Sequence, residues 1–220
     1  MRFPRGFRRS GPIIVTLRNS WETGRVPAPE PVYLHRMVTD GTDRAAWMRA
    51  RSRGITATDV AKLSTPRSIE AAAREKLYGS RFGGNAYTEH GKAREPEIAA
   101  WVLEEHGIAP SRALFHAEAD LRHLATPDGL ALRSSGTIEL AEIKTTNKSW
   151  RSIPRNYLRQ VWWQQYVLGA ERTLMVWEQH ENFVPVGDPQ CRWIDRDEDE
   201  IERLVGLAMR LIDVLIERTT

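Results

Sequence analysis

Asp128 sits in the turn Thr126-Pro127-Asp128-Gly129, and fourteen residues later Glu142-Ile143-Lys144 close an apolar stretch. On a strand, residues two apart point to the same face, so Glu142 and Lys144 project together while Ile143 turns to the core. The separation suits a hairpin that brings Asp128 beside Glu142. Two carboxylates converging from adjacent strands form a site for a hard divalent cation such as Mg²⁺ or Mn²⁺, which takes oxygen ligands and needs no histidine. An ammonium beside a metal-bound water orients that water, helps lower its pKa and stabilises charge on a phosphorane-like transition state. Those parts describe phosphodiester hydrolysis. Alone, a Glu-x-Lys triplet reads as a solvated hairpin face and Pro-Asp-Gly as an ordinary turn; their joint order carries the chemistry.

The elements that must position these groups are legible from periodicity. Asp43 caps a helix with Ala46, Trp47 and Ala50 as its apolar stripe, and Gly54 closes it. Helices follow at Thr58 to Leu63, at Ser68 to Tyr78 and at Asn85 to His106, where Pro96 is expected to bend or break the ladder. The period then drops to about two. Strands are predicted at Arg112 to Ala117, Leu121 to Ala125, Leu130 to Arg133 and Thr137 to Thr145, as a small antiparallel meander. A helix from Pro154 to Leu168, two strands (Arg172 to Gln179 and Phe183 to Ile194) and a final amphipathic helix complete the chain. Ile201, Leu204, Val205, Ala208, Leu211, Ile212 and Leu215 form the last helix's apolar face, expected against the core or another subunit.

At 220 residues with 41% hydrophobic and 28% charged side chains, the chain suits one folded domain. No apolar run approaches the roughly 20 residues of a membrane span, so no membrane partner is expected. One cysteine, Cys191, excludes an internal disulfide and a thiolate cluster, and points to a cytoplasmic setting. Residues 1–42, with Pro4, Pro12, Pro27, Pro29 and Pro31 among scattered arginines, read as an irregular arm ahead of a domain at 43–220. The net charge of +3 is unevenly spread: nine basic against four acidic residues from Asp43 to Arg81, six against one from Lys144 to Arg172, two against nine from Glu178 to Glu202. Two basic stretches could share a face that meets nucleic acid.

Five pieces in order, Arg51-Ser-Arg-Gly-Ile-Thr-Ala-Thr58-Asp59, Gly91-Lys-Ala-Arg-Glu95, Thr126-Pro-Asp128-Gly, Glu142-Ile-Lys144 and Tyr157-Leu-Arg-Gln160, resemble the PD-(D/E)XK nucleases, and among them the lambda exonuclease and YqaJ-type viral recombinase branch. The likeness runs from about Trp47 to Trp177. It implies an α/β (α+β) restriction-endonuclease-like fold, a central mixed sheet flanked by helices. It also implies metal binding by Asp128, Glu142, the Ile143 carbonyl and Glu95, water activation by Lys144 and support from Gln160. Glu97, one residue past Pro96, competes with Glu95. By position Arg51, Thr58 and Thr126 would line a pocket for a DNA 5′-phosphate, with Arg53 the competing arginine; Thr58 stands where the family pattern has serine.

The implied activity is a Mg²⁺-dependent exonuclease, with Mn²⁺ an alternative metal, that degrades one strand of double-stranded DNA from a 5′-phosphorylated end and leaves 3′ tails for recombination. A trimeric ring, a single-strand-annealing partner and a phage or prophage origin in a bacterial cytoplasm belong to the same implication. A PD-(D/E)XK endonuclease or nickase, or a silent DNA-binding module, are the alternatives. Lys148, Arg151 and Arg155 are candidate DNA-backbone contacts, and Trp150, between Lys148 and Arg151, is a candidate base-stacking residue. Trp162 and Trp163 read as core or interface. No P-loop, GxGxxG or HExxH pattern is present.

Overall fold

The computed structural model describes residues 31, 33–79 and 83–219. Local chemistry sets most element boundaries. The Asp43 carboxylate accepts the Ala46 N–H at the start of α1 (Arg44–Ser52), and Thr56 and Asp59 form a reciprocal capping box on α2 (Ala57–Lys62). Thr65 and Pro66 open α3 (Pro66–Tyr78). Asn85 caps α4 (Ala86–His106), which ends at Gly107 in the left-handed region with φ 63°. The helix α5 (Arg155–Leu168) ends likewise at Gly169, and Asp197 caps α6 (Glu198–Glu217).

Among the described residues ten strands make two main sheets. The first runs in the order β1 (Met37–Thr39), β4 (Leu114–His116), β5 (His123–Ala125), β2 (Ile55–Thr56). The second runs β10 (Gln190–Asp195), β8 (Arg172–Glu181), β7 (Ile138–Thr146), β6 (Gly129–Leu132), β3 (Ala109–Pro110), with β9 (Val184–Pro185) paired to the end of β8. β7 and β8 are parallel and joined through α5, while β6 and β7 are antiparallel. Around these sheets the helices α1 to α6 give the expected mixed α/β architecture.

Three expectations are corrected. The antiparallel meander is split: β4 and β5 pair in one sheet, β6 and β7 in the other, and the link Thr126-Pro127-Asp128 steps between them. α4 runs through Pro96 as one helix, and Ile98, Ala99 and Val102 on its C-terminal side pack with Ala141 and Ile143 of β7 in one buried cluster. The strand expected over Phe183 to Ile194 is two strands, β9 and β10, interrupted around Gly187 with its φ of 79°. Within the stretch expected to be irregular, Leu34–Arg36 forms a 3₁₀ turn and β1 pairs with β4; residues 1–30 lie outside the described residues.

The strand β7 divides the core by parity. Ile138 and Leu140 belong to the larger cluster with Trp162 and Trp163 of α5 and with Leu204, Ala208 and Leu211 of α6, whereas Ala141 and Ile143 face α4. Both tryptophans are buried, so α5 is enclosed on more than one side. The apolar stripe of α6 covers the core of its own chain.

Candidate active site

Pairing of Gly129 with Ala141 places the next residues outward, Asp128 and Glu142, opposite each other. The Asp128 N–H donates to the Ala141 carbonyl at 3.1 Å, and its Oδ2 accepts the Ile143 N–H at 2.7 Å. The Asp-Gly turn is thus locked to β7 by both backbone and side chain. Glu142 is buried (4% exposed); one carboxylate oxygen pairs with the Lys144 ammonium and the other accepts from Gln164 Nε2 at 2.7 Å. Lys144 also lies 5.4 Å from the centre of the Tyr157 ring. Burial, reinforced by Glu142 and more weakly by Glu95, pushes the Asp128 carboxyl well above its usual range. Burial works against the charge on Lys144, yet Glu142 and Asp128 outweigh it and raise its pKa, so the ammonium stays protonated.

These groups line a cleft of about 560 Å³ whose other wall is cationic and hydroxylic. β2 lies parallel to β5, with Thr56 beside Leu124, and two residues further on Thr58, in the first turn of α2, and Thr126 both line the cleft. Arg51, at the end of α1, donates through Nη2 to Thr58 Oγ1 at 3.0 Å. Its guanidinium lies 4.9 Å from the centre of the Trp47 ring, and Arg44 lies 4.4 Å from it. Burial, with Arg44 adding to it, lowers the Arg51 pKa from a starting value so high that the side chain remains a cation. Thr126 Oγ1 is buried and has no hydrogen-bond partner among the described residues. Arg112 and Lys92 also line the cleft, and sequence reasoning did not single them out.

Glu95 lines this cleft, whereas Glu97 pairs with Arg94 and does not. Arg94 in turn grips the buried Glu178 of β8 with two hydrogen bonds of 2.9 and 2.7 Å. Arg51 lines the cleft, while Arg53 lines a separate groove with Ile55 and Lys76. Gln160 faces the cleft with its Oε1 buried and unpartnered, and the hydrogen bond to Glu142 comes from Gln164, one helical turn later. Gln164 was missed because its signal lies only in its place on the inner face of α5, which the register of β7 on α5 decides. Lys148 and Arg151 are exposed on the loop after β7, outside the cleft. Arg155 is held in an ion pair with Glu200 and against Trp162. Trp150 stacks on Trp177 and packs against Tyr157, with ring centres 5.4 and 5.3 Å apart, so its ring is engaged by protein.

The donor set fits a hard divalent cation. Among the described residues no three His, Cys, Asp or Glu side chains are grouped as a self-sufficient cage. Two carboxylates, Asp128 and Glu142, face one another with a single ammonium between them to balance two charges, and Mg²⁺ characteristically takes one or two carboxylates and completes its shell with water and substrate phosphate. Glu95 of α4 lines the same cleft, and the Ile143 carbonyl is that of the residue between Glu142 and Lys144 on β7.

The fold matches solved structures of exonucleases. An alkaline exonuclease from Laribacter hongkongensis superposes with a TM-score of 0.63 at 21% identity, covering 79% of this chain and 93% of that one. The same enzyme in complex with dAMP gives a TM-score of 0.62 at 22% identity and the same coverage. A phage-related exonuclease from Haemophilus somnus gives 0.55 at 15% identity, covering 76% and 96%. No curated protein matches the sequence. Among the described residues no helix is long and apolar enough to cross a membrane. The model of the YqaJ-like viral recombinase domain matches residues 46–171, which span the cation wall, the Asp128-Glu142-Lys144 group and α5; the chain belongs to the YqaJ-like viral recombinase domain family.

Proposed function

We propose that the chain is a divalent-metal-dependent nuclease that digests one strand of duplex DNA in the 5′ to 3′ direction from a phosphorylated end. The observation that carries this reading is one cleft with two unlike walls, Asp128, Glu142 and Lys144 on one and Arg51, Thr58 and Thr126 on the other. A carboxylate pair has no use for a phosphodiester unless a cation lies between them, and a guanidinium with hydroxyls fits a terminal phosphate.

Asp128, Glu142 and the Ile143 carbonyl would hold Mg²⁺ or Mn²⁺, with Glu95 reaching the same ion through water or directly. When bound, the ion supplies Lewis acidity toward the scissile phosphate and a water of lowered pKa. Lys144 donates to the attacking water and to the non-bridging phosphate oxygens as negative charge accumulates on them. Gln164 fixes the rotamer of Glu142, and Gln160 offers an unpaired amide oxygen to the same space. Arg51, with Thr58 and the unpartnered Thr126 hydroxyl, grips the 5′-phosphate and sets which bond lies over the carboxylates. Along the backbone further out, Lys148 and Arg151 neutralise phosphates.

The reading extends, on the family likeness, to a ring-shaped trimer around DNA, cooperation with a single-strand-annealing protein, and action in the cytoplasm of a bacterial host. The test compares linear duplex with 5′-phosphate ends, the same duplex with 5′-hydroxyl ends, and closed circles, with Mg²⁺ present or chelated. Mg²⁺-dependent digestion of the phosphorylated linear substrate, lost in Lys144→Ala, is expected. Arg51→Ala should collapse the preference for 5′-phosphate over 5′-hydroxyl. Cutting of circles would replace the reading with an endonuclease.

A further inference from the structure

At the far ends of β7 and β8 a second cluster faces solvent. Tyr87 in the first turn of α4, His90 one turn on, His180 on β8 and Phe183 in the β8–β9 hairpin pack ring to ring. Their centres lie 4.4 Å apart for His90 and His180, 5.2 Å for Tyr87 and Phe183, and 5.5 Å for His180 and Phe183, which are nearly parallel. Asn147, directly after β7, donates to the Tyr87 hydroxyl at 3.3 Å. The cluster forms one side of an open hollow of about 300 Å³, rimmed by Asn147, Asn182 and one carboxylate, Glu181. Tyr87 and Phe183 remain 50% and 41% exposed.

The hairpin itself is costly. Its two central residues, Asn182 and Phe183, have φ of 48° and 68°, a geometry that favours Asn-Gly. A bulky residue in this region is strained, on the order of 1 kcal/mol or more, and a half-exposed ring recovers only part of that by burial. Phe183 therefore stands where the turn by itself would select glycine. Beneath it, His90 Nε2 and His180 Nδ1 are buried without hydrogen-bond partners. Burial, then the neighbouring His90, lowers the His180 pKa and keeps that ring neutral. A floor of aromatic rings with amide edges suits the π-face of a base better than a phosphate.

The hollow and the cleft are both bordered by α4 and by β7 with the residue that follows it. From the same helix as Tyr87, Lys92 and Glu95 line the cleft, and α4 runs so close to β7 that a Cβ on Gly91 would lie 3.2 Å from Thr145 Oγ1. Tyr87 precedes Glu95 by about 12 Å of helix, and Asn147 follows Lys144 by about 10 Å of extended chain. That distance is about three nucleotides at roughly 3.4 Å each. Lys148 and Arg151, both exposed, come next in the chain.

We propose that Tyr87 and Phe183 form a stacking platform for an unpaired nucleobase of the DNA strand, about three nucleotides from the Asp128–Glu142 pair. The proposal rests on the nuclease reading above. The test uses the whole protein without divalent cation and 5′-phosphorylated duplexes with a frayed end, carrying 2-aminopurine at each of the first six positions in turn. Wild-type protein should quench fluorescence at one position near the third nucleotide. Phe183→Gly, which suits the turn's φ, and Tyr87→Leu should each abolish that quench and weaken binding to the frayed end about tenfold, the size of one base stack. Binding to a fully paired blunt duplex should change by less than about twofold in the same variants. Unchanged quench and affinity in both variants, alongside weakened binding by Arg51→Ala, would overturn the platform and leave the nuclease reading standing. A wild-type protein that binds none of these DNAs without the cation and cuts none of them once Mg²⁺ is added would overturn both.

Discussion

Two buried carboxylate clusters sit on opposite faces of β7, three residues apart, and they are compensated in opposite ways. Glu139, 4% exposed, lies between two guanidiniums: Arg133 at 2.6 Å and Arg172 at 2.6 and 2.8 Å. Although burial acts against its charge, the two arginines win and hold its carboxyl below the usual range. Arg133 also donates to the His106 and Gly107 carbonyls at the end of α4, and Arg172 lies on the Trp193 ring, so this cluster ties helix, turn and sheet together. On the other face, Asp128 and Glu142 share one ammonium, and the Asp128 carboxyl is pushed up rather than down. One cluster is saturated and serves the fold. The other is left short of positive charge where a cleft opens, as expected where a cation and a phosphate are to complete it.

The sharpest way to break this contrast is Asp128→Asn. The amide oxygen can still accept the Ile143 N–H, so the fold should hold, and removing a repelled carboxylate should leave the melting temperature unchanged or slightly raised. Nuclease activity should fall on the order of a thousandfold, measured on 5′-phosphorylated duplex with Mg²⁺. A large drop in melting temperature would show that Asp128 belongs with Glu139 as a structural group.

Glu139→Ala should do the reverse. Loss of a buried partner leaves Arg133 and Arg172 unpaired, but both are over a third exposed, so about 2 kcal/mol is expected rather than the larger cost of a fully buried pair. For a chain of this size that lowers the melting temperature by roughly 4–8 °C, while turnover per folded molecule stays near wild type. Calorimetry and an active-site titration together separate the two effects.

Gln164→Leu sharpens the comparison within the site, because among the described residues it removes the only side-chain hydrogen bond to Glu142 other than that of Lys144. A loss of about tenfold to a hundredfold in activity is expected, with Gln160→Leu, whose amide oxygen has no partner among the described residues, less damaging to the orientation of Glu142. Equal losses in the two variants would assign Gln160 the same weight.

The smallest effect is the pH dependence of the Glu139 cluster. Its folded-state pKa lies below the ordinary value of 4.5, so its stabilisation is complete above that value and is lost as pH falls through the lower folded-state pKa. The stability difference between wild type and Glu139→Gln should therefore be flat from neutral pH down to about 5 and shrink below about 4. Denaturant titrations across that range read it directly, and a difference that grew toward low pH would have the wrong sign.

How far these features were legible in the sequence depended on whether the signal was local. Caps at Asp43, Asn85 and Asp197, the stops at Gly107 and Gly169, and the amphipathic face of α6 are written in neighbouring residues. So is the projection of Glu142 and Lys144 from one strand face, since alternation is a property of the extended backbone. The choice between Glu95 and Glu97 needed the wrap of α4 on β7. The choice between Arg51 and Arg53 needed to know which side of the α1–β2 turn opens on the cleft. The meander was misread because alternation says that a segment is a strand and nothing about which sheet receives it; the step at Thr126-Pro127-Asp128 between sheets is a matter of long-range pairing. Trp150 likewise looked free beside two cations, yet packing on Trp177, twenty-seven residues away, engages it.

By itself the sequence determined most of the elements, their facing residues and the projection of a carboxylate and a lysine from one strand face, because each depends on spacing along one stretch of chain. Only the tertiary structure decided which distant residues share the cleft: Thr58 and Thr126 line it together, and Gln164 meets Glu142 through the packing of α5 on β7. The same packing places Glu139 between two arginines and leaves Asp128 and Glu142 with one lysine. Compensation of buried charge is a property of neighbours in space, and sequence distance does not record it.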